Sequence, residues 1–286
     1  MTFSLIFCTL GRSTEVQEFF KALSLQTHDD FEVIVVDQNK DDRVKDIIEQ
    51  FMKFMKIRYF RASPGLSKAR NIGLEHVSGE ILCFPDDDCT YPKELLENIS
   101  EFFSQNRFNI LMGKTIEQTS GNFVAGKPIL NSEIMKCRHF GGSSTTLFIN
   151  TKNKNLKEIV FDENFGIGAK FHAEEENDLV MRLLQNDWQG YYDPNINYVY
   201  HPKKDHDYTD LQRANERGYA LGALIAKHLF SWCGMSYFVK YNFVRTLGGL
   251  ILSTVSGNFN KAKYYLYRFC SVWFGFIGYL YFKIIK

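Results

Sequence analysis

Four apolar runs of strand length, Phe3–Thr9, Glu32–Asp37, Ile57–Arg61 and Glu80–Pro85, alternate with helical patterns at Ser13–Leu25, Asp41–Met55 and Leu66–Val77. Runs this short and this continuously apolar suit strands covered on both faces, and the helices between them supply the cover. Strand, helix, strand in that order predicts an α/β fold with a mainly parallel sheet and flanking helices, a Rossmann-like half over residues 1–116. Its later parts are a helix over Lys93–Ser104, with Pro92 in the first turn, and an apolar stretch at Ile110–Ile116. Residues 117–170 are rich in Gly, Ser, Thr and Asn, with one strand expected at Thr145–Asn150, and they lead into a helix over Ala173–Gln185. After Pro202 the pattern is helical: Tyr208–Phe230, Ser236–Ser253 and Lys261–Ile284, with breaks at Cys233-Gly234 and Ser256-Gly257-Asn258.

Charge divides the chain at the same place. The overall balance is +1, which removes the electrostatic case for a nucleic-acid partner. From Gly218 to Lys286, however, there are eight basic residues, no Asp or Glu, and 18 of the 44 aromatic residues. Basic and aromatic residues together fit an anionic membrane surface. The longest uncharged apolar windows, Thr246–Asn260 and Phe269–Phe282, span 15 and 14 residues, so a spanning helix, through Tyr264–Ile285, is possible but not favoured, and residues 218–286 are expected to attach peripherally. Packing back onto the first domain, or pairing as a homodimer, are the alternatives. The six cysteines form no CxxC pair, and Met1–Leu10 reads as a buried strand rather than a signal peptide, so a cytoplasmic location on the inner face of the cell membrane is expected.

Ligands of open parallel sheets bind beyond the carboxyl ends of the strands. There the sequence delivers Thr9 with Arg12, Asp37–Asp41, the loop Gly65–Asn71, and Asp86-Asp87-Asp88. Three adjacent carboxylates after so apolar a strand repel one another unless a cation is shared, and Mg²⁺ or Mn²⁺ accepts one or two protein carboxylates and fills its octahedron with water and phosphate oxygens. Alternation lets Asp86 and Asp88 face one ligand while Asp87 turns away. The alternative is a solvated acidic turn capping the helix near Pro92.

Taken together, Phe3–Arg12, Phe31–Asp37, Gly65–Leu74 and Ile81–Asp88, followed by Phe161–Gly166 and Glu175-Glu176-Asn177-Asp178-Leu179 with Arg182, resemble in order and spacing the family 2 glycosyltransferases with the GT-A fold, over about residues 1–202. The resemblance implies a GT-A domain at 1–217, with a nucleotide-binding half at 1–116 and an acceptor half at 117–217, and a membrane-associating region at 218–286. It implies an inverting transfer from a nucleotide-diphosphate sugar, with a UDP-sugar favoured, to a glycan or lipid-linked hydroxyl, assisted by Mn²⁺ or Mg²⁺. Thr9 and Asp37 match positions that hold base and ribose, the Asp37 carboxylate being suited to the N3–H of uracil. Arg12, Arg70 and Asp87 join the nucleotide-sugar set. Asp86 and Asp88 match the DxD element as metal ligands, and His201 stands where some GT-A enzymes bring a late ligand, although a structural role for it is the alternative. Gln38-Asn39 departs from the family pattern after the strand-end Asp, which leaves the base open.

For the general base, the family position falls on Glu176, with Glu175 next; the like charges of Glu174-Glu175-Glu176 should raise at least one of their pKa values, against the helix dipole. The alternative is that all three decorate an exposed first turn. Asp178 is expected to orient the helix or touch the acceptor. Lys203-Lys204 with His206, and Gly141-Gly142-Ser143-Ser144, could face phosphates or sugar, or be solvated. Two rival functions are a sugar-nucleotidyltransferase, disfavoured by the single glycine in Leu10-Gly11-Arg12-Ser13, and a non-catalytic membrane-associated nucleotide-sugar-binding protein.

Overall fold

The computed structural model describes residues 1–124, 131–136, 143–202 and 207–285. Cys137, Gly141, Gly142, Lys203, Lys204, His206 and Lys286 lie outside them. The chain divides into two units: residues 1–135, 141–161 and 182–204 form one, and 136–140, 162–181 and 205–286 the other. Residues 162–181, with the Glu-rich helix start, thus group with the C-terminal segment, whereas the sequence boundary was drawn at 217/218.

The first unit is built on an eight-stranded sheet of order β3-β2-β1-β4-β8-β5-β9-β7. Its strands are β1 (Phe3–Thr9), β2 (Phe31–Asp37), β3 (Lys56–Arg61), β4 (Ile81–Cys83), β5 (Ile110–Met112), β7 (Glu133–Ile134), β8 (Phe148–Asn150) and β9 (Gly190–Tyr192). The first four pair in parallel, in register from Thr9 through Asp37 to Arg61, whereas β8 runs antiparallel to both β4 and β5. Every residue of β1 is buried, as a strand covered on both faces requires. Helices α1 (Thr14–Leu23), α2 (Lys45–Phe51), α3 (Leu66–Leu74) and α4 (Leu95–Gln105) make the crossovers. On one side Phe7 stacks on Phe19 at 4.7 Å and meets Phe20 edge-on at 5.3 Å, each ring contributing about 1.5–3 kcal/mol by burial.

Several boundaries differ from the sequence reading. The run Ile110–Ile116 is two strands: β6 (Lys114–Ile116) leaves the main sheet to pair with β10 (Tyr198–Tyr200). Gly113 makes the switch because its backbone lies against Asn197, where a Cβ would sit 1.8 Å from the carbonyl oxygen. Ser144–Thr146 forms a 3-10 turn, so the expected strand at Thr145 starts at Phe148. Strands β7 and β9, two and three residues long, carry too little periodicity to be read.

In the second unit lie the start of α5 (Glu175–Gln185), α6 (Leu211–Lys227), α7 (Trp232–Phe238), a π-helical stretch Val239–Leu247, α8 (Gly248–Val255) and α9 (Phe259–Ile285). The single helix expected at Ser236–Ser253 is therefore three pieces. The break expected at Cys233-Gly234 falls earlier, at His228–Ser231, because Ser231 caps α7 by accepting the Gly234 N–H at 3.0 Å.

Candidate active site

The strand order turns back at β1: the chain runs outward through β2 and β3, then returns to place β4 on the other flank. This switch point opens a crevice at the carboxyl ends of β1 and β4. An isolated parallel pairing of Cys8 with Asp86 carries β4's direction one step further, so the acidic triplet emerges beside Thr9. The loop then returns to pair antiparallel with β10: Thr90 N–H donates to the Tyr200 carbonyl at 2.9 Å and Tyr200 N–H to that of Thr90 at 3.0 Å. That pairing is what delivers His201.

Side chains alternate along this segment. Asp86, Asp88 and His201 each present a ligand atom within 4.8 Å of the others, and His201 Nε2 lies 3.0 Å from Asp88 Oδ1. The other imidazole nitrogen, Nδ1, is 3.0 Å from the Pro202 carbonyl, a second-layer bond that fixes the ring. Two carboxylates and one imidazole are a donor set that could hold a divalent metal ion. Asp87 points the other way and is buried. Its Oδ2 accepts from Thr9 Oγ1 at 2.9 Å and Leu10 N–H at 3.3 Å, and its Oδ1 accepts from Arg12. Burial raises the Asp87 pKa, with Arg12 and these hydrogen bonds opposing it. Arg12 also reaches Asp88 Oδ2 at 2.7 Å, so one guanidinium spans two of the three carboxylates.

Asp86 is held from the far side. The buried Arg70, on α3, lies 3.3 Å from Asp86 Oδ1 and donates to Ser144 Oγ at 2.8 Å, with its guanidinium 5.2 Å from the Phe161 ring centre. Ser144, in the cluster flagged in the sequence, donates to Asp86 Oδ1 at 3.3 Å.

Asp37 closes β2 and is fully buried. Its Oδ1 accepts from Asn39 N–H at 2.8 Å and Asn39 Nδ2 at 2.7 Å; its Oδ2 accepts from Tyr59 at 2.5 Å and lies 3.7 Å from Arg61 Nε. Burial and the bond to Asp37 push the Tyr59 phenol up to about 12, so it stays a donor. Asn39 Oδ1 accepts from Gly11 N–H at 2.7 Å, and Gln38 Oε1 from Gly65 N–H at 2.8 Å. The two residues that depart from the family pattern thus tie the end of β2 to two neighbouring site loops. Sequence reasoning missed Tyr59 and Arg61. Their signal was the two-residue alternation along β3, which puts both on the face and at the end where Asp37 sits.

Glu175 and Glu176 belong to the second unit, where Glu175 is buried and Glu176 half-buried in the first turn of α5. Glu174 precedes the helix with φ 73°, and its Oε2 accepts from Asn177 Nδ2 at 2.7 Å. Burial, with Glu175 adding to it, raises the Glu174 pKa. Asp178 is wholly buried: its Oδ1 lies 2.7 Å from Lys227 Nζ and 2.8 Å from His228 Nε2, and Lys227 reaches Asp162 Oδ2 at 2.6 Å. The clamp ties the turn that carries Glu176 to the end of α6.

A doubly wound sheet with paired carboxylates at its switch point is an architecture that takes ligands beyond its strand ends. The family model for glycosyl transferase family 2 matches residues 4–172, and the chain belongs to that family. An uncharacterized glycosyltransferase of Haemophilus influenzae is 26% identical over 191 residues, 64% of this chain and 62% of that protein. The poly(ribitol-phosphate) beta-N-acetylglucosaminyltransferase TarS of Staphylococcus aureus is 29% identical over 119 residues, 40% of this chain and 21% of its own. The chain spans less than two thirds of either relative. Among solved structures, TarS 1-349 with UDP-GlcNAc superposes with TM-score 0.58 at 16% identity, covering 92% of this chain and 90% of that one. The mannosyltransferase PcManGT of Pyrobaculum calidifontis, with GDP-Man and Mn²⁺, gives 0.64 at 12% identity, covering 98% and 87%. These likenesses establish the GT-A fold. Among the readings the sequence left open, the family match favours the glycosyltransferase one.

Proposed function

We propose that this enzyme moves a sugar from a nucleotide-diphosphate donor, a UDP-sugar, to a hydroxyl of a glycan or lipid-linked acceptor, with inversion, and that it works at the inner face of the cell membrane. The observation that carries the reading is the convergence of Asp86, Asp88 and His201 at the switch point. Those three residues would hold Mn²⁺ or Mg²⁺, which when bound supplies positive charge to the leaving diphosphate. Arg12 and Arg70 flank the same carboxylates, and their guanidinium groups suit diphosphate oxygens. Asp37, oriented by Asn39 and Tyr59, offers a fixed acceptor to the N3–H of a pyrimidine base. UDP-GlcNAc in TarS and GDP-Man with Mn²⁺ in PcManGT support the donor class and the ion. Glu176, with Glu175 as its neighbour, takes the acceptor proton as the hydroxyl attacks the anomeric carbon.

Thermal shift against a panel of nucleotide sugars, with and without Mn²⁺, tests the reading, because only ligands of the native state stabilise it. UDP-sugars should raise Tm in a Mn²⁺-dependent way, and Asp88→Asn should remove the dependence while keeping the fold. Activity indifferent to EDTA, or full activity in Asp88→Asn, would overturn the metal assignment; stabilisation by other nucleotide sugars alone would overturn the base.

A further inference from the structure

The second unit has a buried apolar core on α6 but also leaves a row of large apolar side chains exposed. On α9, Leu266, Cys270, Phe274, Ile277, Tyr281 and Ile284 recur at three- and four-residue intervals and so share one helix face. All six are exposed, Phe274 at 67%, Ile277 at 60% and Ile284 at 81%. The stripe runs for about 27 Å at 1.5 Å per residue. The opposite face, with Ala262, Ser271, Val272, Gly275 and Tyr279, is buried. It meets α6 backbone to backbone: a Cβ on Gly222 would lie 1.9 Å from the Val272 carbonyl oxygen, and one on Gly275 1.9 Å from that of Tyr219. Beside the stripe a groove of about 580 Å³ runs between Leu211 and Asn215 of α6 and Leu266, Tyr267, Cys270 and Phe274 of α9.

Charge selects the occupant. Residues 218–286 carry eight cations and no anion; Lys227 is spent on Asp162 and Asp178, and the remaining positive excess complements a layer of phosphate headgroups. A second copy of the chain would set that excess against itself, and like charges across an interface are costly. By length and composition α9 could cross a bilayer, unlike the shorter uncharged windows read from the sequence, but it packs along α6, which carries Arg213, Glu216 and Arg217, and charges held at the bilayer centre are expensive.

We propose that the second unit docks in the plane of an anionic phospholipid bilayer through the exposed stripe of α9, its groove receiving hydrocarbon chain. The proposal rests on the reading above that the enzyme works at a membrane, and names the surface that does it. Flotation of the full chain with vesicles of phosphatidylcholine alone, or with phosphatidylglycerol in about equal part, tests it. Binding should be at least about tenfold tighter to the anionic vesicles and should weaken with salt. The double variant Phe274→Glu, Ile277→Glu changes two exposed positions, so its fold and its donor-dependent thermal shift should be kept while vesicle affinity falls at least about tenfold. Failure of the parent to float, or undiminished binding by the variant, overturns the proposal. An environment-sensitive dye on Cys270, with Cys137 and Cys233 changed to Ser, should shift to the blue on anionic vesicles; an unmoved spectrum overturns the assigned face. Retention after alkaline carbonate would mean a crossing helix and overturn in-plane docking. Loss of donor binding in the parent with flotation intact would break the reaction reading and leave the docking surface standing.

Discussion

The two units handle charge in opposite ways. In the sheet unit, carboxylates are gathered at strand ends and each is matched by fixed partners: Asp87 and Asp88 by Arg12, Asp86 by Arg70 and Ser144, Asp37 by Asn39 and Tyr59. In the helical unit the acidic groups belong to residues 162–216, the last 69 residues have none, and one apolar stripe of α9 faces outward. A site that must stabilise charge developing at one atom needs preorganised dipoles and ions. A surface that must hold a fluid layer needs only net charge and exposed hydrocarbon. Point substitutions that act through packing and charge should therefore act sharply in the first unit and additively in the second, apart from the Asp178 clamp; Glu176, in the second unit, is set apart by its proposed part in the chemistry.

The largest expected effect tests where the chemistry lies. Glu176→Gln should keep donor binding yet lose transfer by about two to four powers of ten, the range for removing a general base. Single-turnover rates with saturating donor measure it. Survival of Glu176→Gln with loss in Glu175→Gln would shift the assignment by one residue.

Next comes the buried clamp, the exception within the helical unit. Lys227→Met leaves Asp178 with His228 and Asp162 with Asn164, both without their ammonium, and should destabilise the protein by about 3 kcal/mol. Urea unfolding checks this, and a loss below about 1 kcal/mol would show that His228 and solvent suffice.

A smaller effect separates Arg12 from the metal ligands. Because its guanidinium already holds Asp88 Oδ2 and Asp87, Arg12→Gln should strengthen Mn²⁺ binding without donor, by about tenfold, and weaken donor binding. Titration of Mn²⁺ by electron paramagnetic resonance, with and without UDP, reads both; weaker Mn²⁺ binding in the variant would make Arg12 a structural support of the site.

The smallest effect is a pH dependence remote from the site. Burial would raise the Glu32 carboxyl, but bonds from Ser4, Ser78 and Lys56 outweigh it and hold the pKa to about 2. A folded pKa below the unfolded one contributes stability that is full above about pH 4.5 and is lost as pH falls toward 2. The stability difference between the parent and Glu32→Gln should shrink across that window, and a constant difference would refute the assignment.

Much of the sheet unit was legible in the sequence because its information is local. A buried parallel strand is apolar over most of its length, so β1 and β2 were found nearly to the residue, and the half-buried β3 by its short run Ile57–Arg61. The acidic triplet stood out because three adjacent carboxylates conflict with the strand before them. Short or divided elements escaped: β7 and β9 have no period to read, and Gly113 breaks an apolar run for the sake of a contact with Asn197, 84 positions away in sequence.

What the sequence by itself determined, then, was the alternating order of the first 116 residues, the strand-end position of the carboxylates Asp86 and Asp88, and the acid-free C-terminal quarter, since each follows from composition or spacing within a few residues. Tertiary structure alone decided the partners. His201 reaches Asp88 because Thr90 pairs with Tyr200, Tyr59 and Arg61 meet Asp37 through strand register, and Asp178 meets Lys227 and His228 through the packing of α5 and α6. It also decided which face of α9 is spent on α6 and which stays exposed, because helical periodicity gives a stripe its width but only close packing at Gly222 and Gly275 gives it a direction.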